Sequence, residues 1–268
     1  MRTLLLTLLG MFPPRAQSFV RTLRHEWGHK TTPRTRTHER ALPFVFACNE
    51  FGGYCIPRDL IHRRAAQAIL RGEVWERETL QFMAKNCGAG DVVHAGTYYG
   101  DFLPALSSSL TPSALIWAFE PNRQSFRCAM MTVVINDLGN VKLHNAALEA
   151  KTESASYVSR DQDGRALGGG GYVIEHPAAG AENVAQISLD ETVPVDRHVS
   201  ILQLDVEGFE EEALRGASIL LRRDRPILIL ETVPTSTWFL DQMAALGYQM
   251  TSQLDANSVF ATIHRPQV

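Results

Sequence analysis

The residues of this chain best suited to chemistry stand at the ends of short apolar runs. In DVVHAGTYYGDF, Gly96 and Gly100 follow such a run and precede a helical stretch. Glycines at that turn let a backbone loop approach a ligand with no Cβ in the way. Glu120 closes the next apolar run, in WAFEPN, twenty residues past Gly100. A carboxylate there is placed to accept the hydroxyls of a nucleoside ribose. The loop lacks the middle glycine of G-x-G-x-x-G, which serves a pyrophosphate, so a ribose-bearing ligand without phosphate fits better than a dinucleotide. Asp205 ends a later apolar run with Glu207 just beyond it, and Glu231 ends the run after that. Carboxylates in such places can take a proton from an acceptor, orient it, or cap a helix; together they could hold a divalent cation.

These residues need strands to carry them. After Asp91 the chain alternates short β-rich apolar runs (91–95, 114–119, 141–143, 200–205 and 227–231) with stretches that read mostly as helix, the pattern of βαβ units and a parallel sheet. The fold class expected is a doubly wound, Rossmann-like α/β sheet, mostly parallel, closed by an antiparallel hairpin over 248–252 and 258–263. In an open sheet of this kind ligands bind at the carboxyl ends of the strands, where Gly96, Glu120, Asp205 and Glu231 fall. Ahead of it, residues 41–57 suggest a short strand pair and 58–86 two helices. The expected division is therefore a cap and basic linker over residues 1–87 and a ligand-binding domain over 88–268.

Composition narrows the class of function. The chain has 268 residues, 45% hydrophobic and 21% charged, with a formal charge of −3, which gives no general attraction for nucleic acid or anionic lipid. Cys48, Cys55, Cys87 and Cys128 form no CxxC pair and no zinc spacing, so neither a metal knuckle nor a disulfide framework is indicated, and a cytoplasmic location fits. The apolar run from Leu4 to Phe12 is too short to cross a bilayer and is broken by Pro13 and Pro14. It is read as a helix packed on protein, with an interfacial helix or a signal peptide as alternatives. Residues 21–40 carry six Lys and Arg against two Glu, which suits a solvated linker or a peripheral membrane or phosphate contact.

GTYYGDF, FEPN, NAAL at 145–148, LQLDVEGFEEEALRGA at 202–217 and ILILE ending at Glu231 together resemble FkbM-type methyltransferases over roughly residues 88–248. The D-V-E-G-x-E stretch is the most specific part, matched by Asp205, Val206, Glu207, Gly208 and Glu210. The resemblance implies a class I methyltransferase sheet, S-adenosylmethionine as cofactor, and methyl transfer to a hydroxyl of a sugar, glycolipid or secondary metabolite. It implies that His94, Gly96, Thr97, Tyr98, Gly100, Glu120, Pro121, Asn122 and Asn145 hold the cofactor, Asn145 at the adenine. Asp205, as base, and Glu207 would then face a small-molecule or glycan acceptor. A resident metal is not favoured, and no nucleic-acid partner is expected.

Three positions depart from the family pattern: His94 stands where an acid is usual, Gln203 where a lysine is often found, and Thr97-Tyr98 where Ala-Asn is common. His94 can contact the cofactor carboxylate, receive a proton, or end a strand with no role in binding. RALGGGG over 165–171 reads as a mobile lid or a plain flexible connection. Two other functions stay open. One is a nicotinamide-dependent oxidoreductase, disfavoured by the missing G-x-G-x-x-G; the other is a protein that kept the fold and binds without catalysis, for which His94 and Gln203 leave room.

Overall fold

The computed structural model describes residues 42–167, 171–174 and 181–262. The expected N-terminal helix, the basic stretch and the centre of the glycine-rich loop lie outside these residues. The described elements belong to one compact unit that begins at Phe44, so the expected boundary at 87/88 falls within that unit.

Its central sheet has seven strands: β3 (Asp91–Ala95), β4 (Ile116–Phe119), β5 (Val141–His144), β10 (Val199–Leu204), β11 (Ile227–Leu230), β12 (Tyr248–Leu254) and β13 (Asn257–Thr262), in the order β12-β13-β11-β10-β3-β4-β5. The five strands from β11 to β5 pair in parallel, and β13 and β12 add the antiparallel edge. Strand order reverses between β3 and β10, which makes the gap above them the topological switch point. β3, β4, β10 and β11 are buried along their whole length. This is the reason their sequences read as continuous apolar runs and do not alternate.

Successive residues of each strand feed two cores. Val93, Ala95, Leu202 and Leu204 pack with α6 (Glu210–Arg215), α7 (Ser218–Asp224) and α8 (Thr237–Leu246) on one face. Val92, Ile201, Ile116 and Ile229 pack with α2 (Arg77–Asn86) and α3 (Leu103–Ser109) on the other. A sheet covered on both faces is what the strand and helix alternation predicts.

The strand pair expected over 41–57 is the hairpin β1 (Phe44–Asn49) and β2 (Gly52–Pro57). It lies against α4 (Arg123–Ile135): the Thr132 hydroxyl accepts from Cys55 N–H at 3.2 Å, and the Asn136 side chain joins both backbone groups of Gly53. α1 (Arg64–Leu70) follows a short 3-10 turn at Arg58–Leu60.

The sequence reading missed a second, four-stranded sheet: β6 (Ala146–Leu148), β7 (Glu153–Val158), β8 (Tyr172–Ile174) and β9 (Glu182–Ile187), in the order β6-β9-β7-β8. Two of its strands have only three residues and the other two six, so they carry little period-2 signal. They are strands because neighbours distant in sequence supply their ladder bonds.

Candidate active site

The carboxyl ends of β3, β4, β10 and β11, the start of α1, the α1–α2 turn and the edge of the small sheet enclose a cavity of about 510 Å³. Of the residues expected at the site, His94, Gly96, Tyr98, Glu120, Pro121, Asp205 and Glu207 line it.

Gly96 is the tightest point of the turn after β3. Its φ is +79°, and a Cβ there would lie 1.9 Å from the Asp205 carbonyl oxygen. Only glycine lets the β3 and β10 ends approach so closely. Two residues on, Tyr98 adopts φ 54° in the left-handed region, a conformation costing of order 1–3 kcal/mol that its surroundings must impose. The tie that holds it is the Tyr98 N–H, which donates to Glu120 Oε2 at 2.7 Å, while Asn122 N–H donates to Oε1 at 2.7 Å. Glu120 is 5% exposed. Burial pushes its carboxyl up to about 8 against the pull of those two backbone donors. Each carboxylate oxygen still has a lone pair free for a hydroxyl.

The other expected cofactor residues stand behind the wall. Asn122 caps α4, its side chain accepting from Gln124 and Ser125 N–H at 2.9 and 3.0 Å. Asn145 donates to the carbonyls of Glu120 and Pro121 at 2.8 and 3.1 Å, so it holds the acidic turn in shape. Thr97 is fully buried. Gly100, at φ +83°, sits over Leu103 and Thr132.

On the far side of the switch point, Asp205, Glu207 and Glu231 bring one carboxylate oxygen each to within 4.8 Å of one another. Asp205 N–H bonds to the Ala95 carbonyl and Glu231 N–H to the Leu204 carbonyl, so strand pairing itself delivers both acids to one place. The Asp205 carboxyl is pushed well above the usual range, first by desolvation and then by its hydrogen bond to Glu231. Glu207 is exposed at φ 55°, and its carboxyl is raised by the partial desolvation of the cavity rim and by the Glu231 charge. Three oxygen donors in this cluster suit a hard divalent cation in type, as they also suit a proton relay.

Sequence reasoning missed several lining residues. Asp101, directly after the glycine turn, is 8% exposed. Glu76 comes from the α1–α2 turn, Arg63 from the start of α1, and Tyr157 and Tyr172 from the small sheet. The acid next to Gly100 was a usable signal. The others reach the cavity only through tertiary packing.

A parallel sheet with an antiparallel closing hairpin, a glycine turn after its first strand and an acid ending its second defines a Rossmann-like methyltransferase domain. The chain belongs to the FkbM methyltransferase family: the Methyltransferase FkbM domain matches residues 86–250, more than half of its length, and the family is one of S-adenosylmethionine-dependent methyltransferases. No curated protein matches the chain. Among solved structures, the methyltransferase FkbM of Methylobacillus flagellatus KT is similar at 17% identity and TM-score 0.45, covering 65% of this chain and 43% of that one. The present chain thus spans less than half the length of that relative. The Pyrococcus abyssi tRNA (uracil-54, C5)-methyltransferase in complex with S-adenosyl-L-homocysteine is similar at 12% identity and TM-score 0.44, covering 87% and 48%. Aeropyrum pernix fibrillarin with bound S-adenosyl-L-methionine is similar at 14% identity and TM-score 0.38, covering 84% of each chain.

Proposed function

We propose that this chain transfers the methyl group of S-adenosylmethionine to a hydroxyl oxygen of a small-molecule or glycan acceptor, of the kind found on sugars, glycolipids and secondary metabolites. The observation that carries the reading is Glu120: a buried carboxylate on a cavity at the switch point, shaped by two backbone donors and without a cation partner among the described residues. Its free lone pairs suit the two ribose hydroxyls. Gly96 supports the same reading, because its missing Cβ keeps the turn after β3 close to Asp205 and low beside the ligand. The bound cofactor supplies an electrophilic methyl on a sulfonium.

The protein's part is position and proton transfer. Holding the acceptor oxygen in line with the methyl can supply roughly 7 to 11 kcal/mol of the barrier. The acceptor proton goes to the carboxylate cluster at the end of β10, with Asp205 as the base and Glu231 beside it. Glu207, at the exposed rim, orients the acceptor. Arg63, Tyr157 and Tyr172, from the cap and the small sheet, line the approach. A divalent cation on Asp205, Glu207 and Glu231 is not needed for this route.

The four cysteines are free thiols, which suits the proposed cytoplasmic location. No described helix is long and apolar enough to cross a membrane. Peripheral contact through residues 1–40 is tested by their removal, with vesicle partition and activity as readouts.

The test of the main reading is calorimetric titration with S-adenosylmethionine and, separately, NADH, on the native protein and Glu120→Ala. Micromolar binding of the first alone, weakened in the variant, is expected. Absence of S-adenosylmethionine binding would overturn the cofactor, and NADH binding would restore the oxidoreductase reading. Methyl transfer to a hydroxyl acceptor, identified by screening, separates an enzyme from a protein that only binds.

A further inference from the structure

One part of the cavity wall offers hydrogen-bond acceptors and no cation. Asp101 is 8% exposed, lines the cavity and makes no ion pair among the described residues. Glu76, half-buried in the α1–α2 turn, stands close enough that its charge raises Asp101, which burial above all pushes up to about 7. Glu76 is itself raised by burial, and its side-chain partners are the neutral Asn257 and Trp75. Two carboxylates left in this state are costly in a folded protein unless a ligand brings positive charge.

His94 adds a third acceptor. It is 3% exposed and lines the same cavity. Its ring stacks on Phe102, the residue after Asp101, with centroids 5.2 Å apart. His94 and Gln203 are register partners on β3 and β10, and Nδ1–H donates to Gln203 Oε1. That bond fixes the tautomer: the proton is on Nδ1 and the lone pair on Nε2. Burial holds the imidazole down to about 4, so it is neutral at physiological pH. Nε2 is buried and has no partner. The two departures from the family pattern, His94 and Gln203, are thus one neutral pair that presents an acceptor.

We infer that Glu76, Asp101 and Nε2 of His94 form a subsite for a primary ammonium group, which on the proposed reading of the site is the α-ammonium of the cofactor's methionine end. An ammonium has three N–H donors and the positive charge these groups lack. A carboxylate in the same place would face two carboxylates and a lone pair. The methionine carboxylate is therefore held elsewhere, and His94 does not bind it.

The experiment is calorimetry on the full chain at pH 7.5 with four ligands. They are S-adenosylhomocysteine, its decarboxylated analogue, its deaminated analogue and methylthioadenosine, which has no amino-acid end. The native protein should bind the deaminated analogue at least about tenfold more weakly than the parent, as expected for losing hydrogen bonds to a charged group. Asp101→Asn and His94→Phe, the second keeping the ring stack, should each weaken the two amine-bearing ligands about tenfold. Binding of methylthioadenosine should be unchanged, which also shows that the variants fold. Equal loss for all four ligands, or a deaminated analogue as tight as the parent in the native protein, overturns the subsite while leaving the cofactor reading intact. Failure of the native protein to bind any of the four overturns the cofactor reading, and the ammonium assignment with it.

Discussion

The two ends of the central sheet treat buried acids in opposite ways. At the amino end of β3, Asp91 is 2% exposed and fully partnered: Arg197 forks onto both its oxygens, Trp117 Nε1 donates at 2.8 Å and Leu115 N–H at 2.8 Å. Asp224, the last residue of α7, is similarly met by Arg223 and by Val199 N–H. At the carboxyl ends, Asp101, Glu120 and Asp205 meet backbone donors or another acid and no cation among the described residues. A partnered acid ties strands together. An acid left without a counter-charge beside a cavity raises the energy of the empty protein, and a cationic ligand recovers that energy on binding.

The contrast can be broken at either end. The largest effect is expected from Asp205→Asn combined with Glu231→Gln, which should lower kcat by about 10² to 10⁴. Affinity for S-adenosylhomocysteine should change less than about threefold; steady-state kinetics beside calorimetry would show it, and an unchanged kcat would remove the pair from proton transfer. Next is Arg197→Ala at the opposite end. It strands Asp91 and should cost about 2 to 3 kcal/mol in denaturant unfolding, less than for a fully buried pair because Arg197 is partly exposed. Cofactor affinity should stay as it was. Glu120→Ala should act first on the ligand, with about 10 to 100 times weaker S-adenosylhomocysteine binding, and should also cost about 1 to 3 kcal/mol of stability because Tyr98 and Asn122 N–H lose their acceptor.

The smallest effect is in pH. Glu120 at about 8 and Asp101 at about 7 are raised above their ordinary values of 4.5 and 3.8. The folded state therefore binds more protons than the unfolded one, and their stabilising contribution, full below about pH 4, is lost as pH rises through 7 and 8. His94, held down to about 4 from 6.5, has the opposite sign below pH 6.5. The ligand-free protein should thus lose thermal stability most clearly between pH 6.5 and 8, and Glu120→Gln should flatten that fall. A midpoint independent of pH over this range in the native protein would show that Glu120 does not titrate there.

Much of this site was legible in the sequence because the sheet is buried on both faces. Apolar runs mark β3, β4, β10 and β11, and an acid or glycine just past such a run must stand at a strand's carboxyl end. Gly96, Glu120, Asp205 and Glu231 were found that way. The closing hairpin was legible from its turn, and it forms as β12 and β13. The small sheet was not, since β6 and β8 have only three residues and β7 and β9 mix polar and apolar residues. Asn145 shows a different limit: the resemblance implied a ligand contact, while the donation of its side-chain amide to the Glu120 and Pro121 carbonyls is visible only in the folded chain.

The sequence by itself therefore determined the order of the strands along the chain, the turn that only glycine can make, and which acids end which strands. These follow from local sterics and from the pattern of burial. The tertiary structure alone decided which of those acids keep a counter-charge, that Asp205 and Glu231 meet in one cluster, that His94 and Gln203 are partners, and that Glu76 and Asp101 line one cavity. The state of a charge depends on what packs against it from elsewhere in the chain, and no window of sequence contains both halves of that contact.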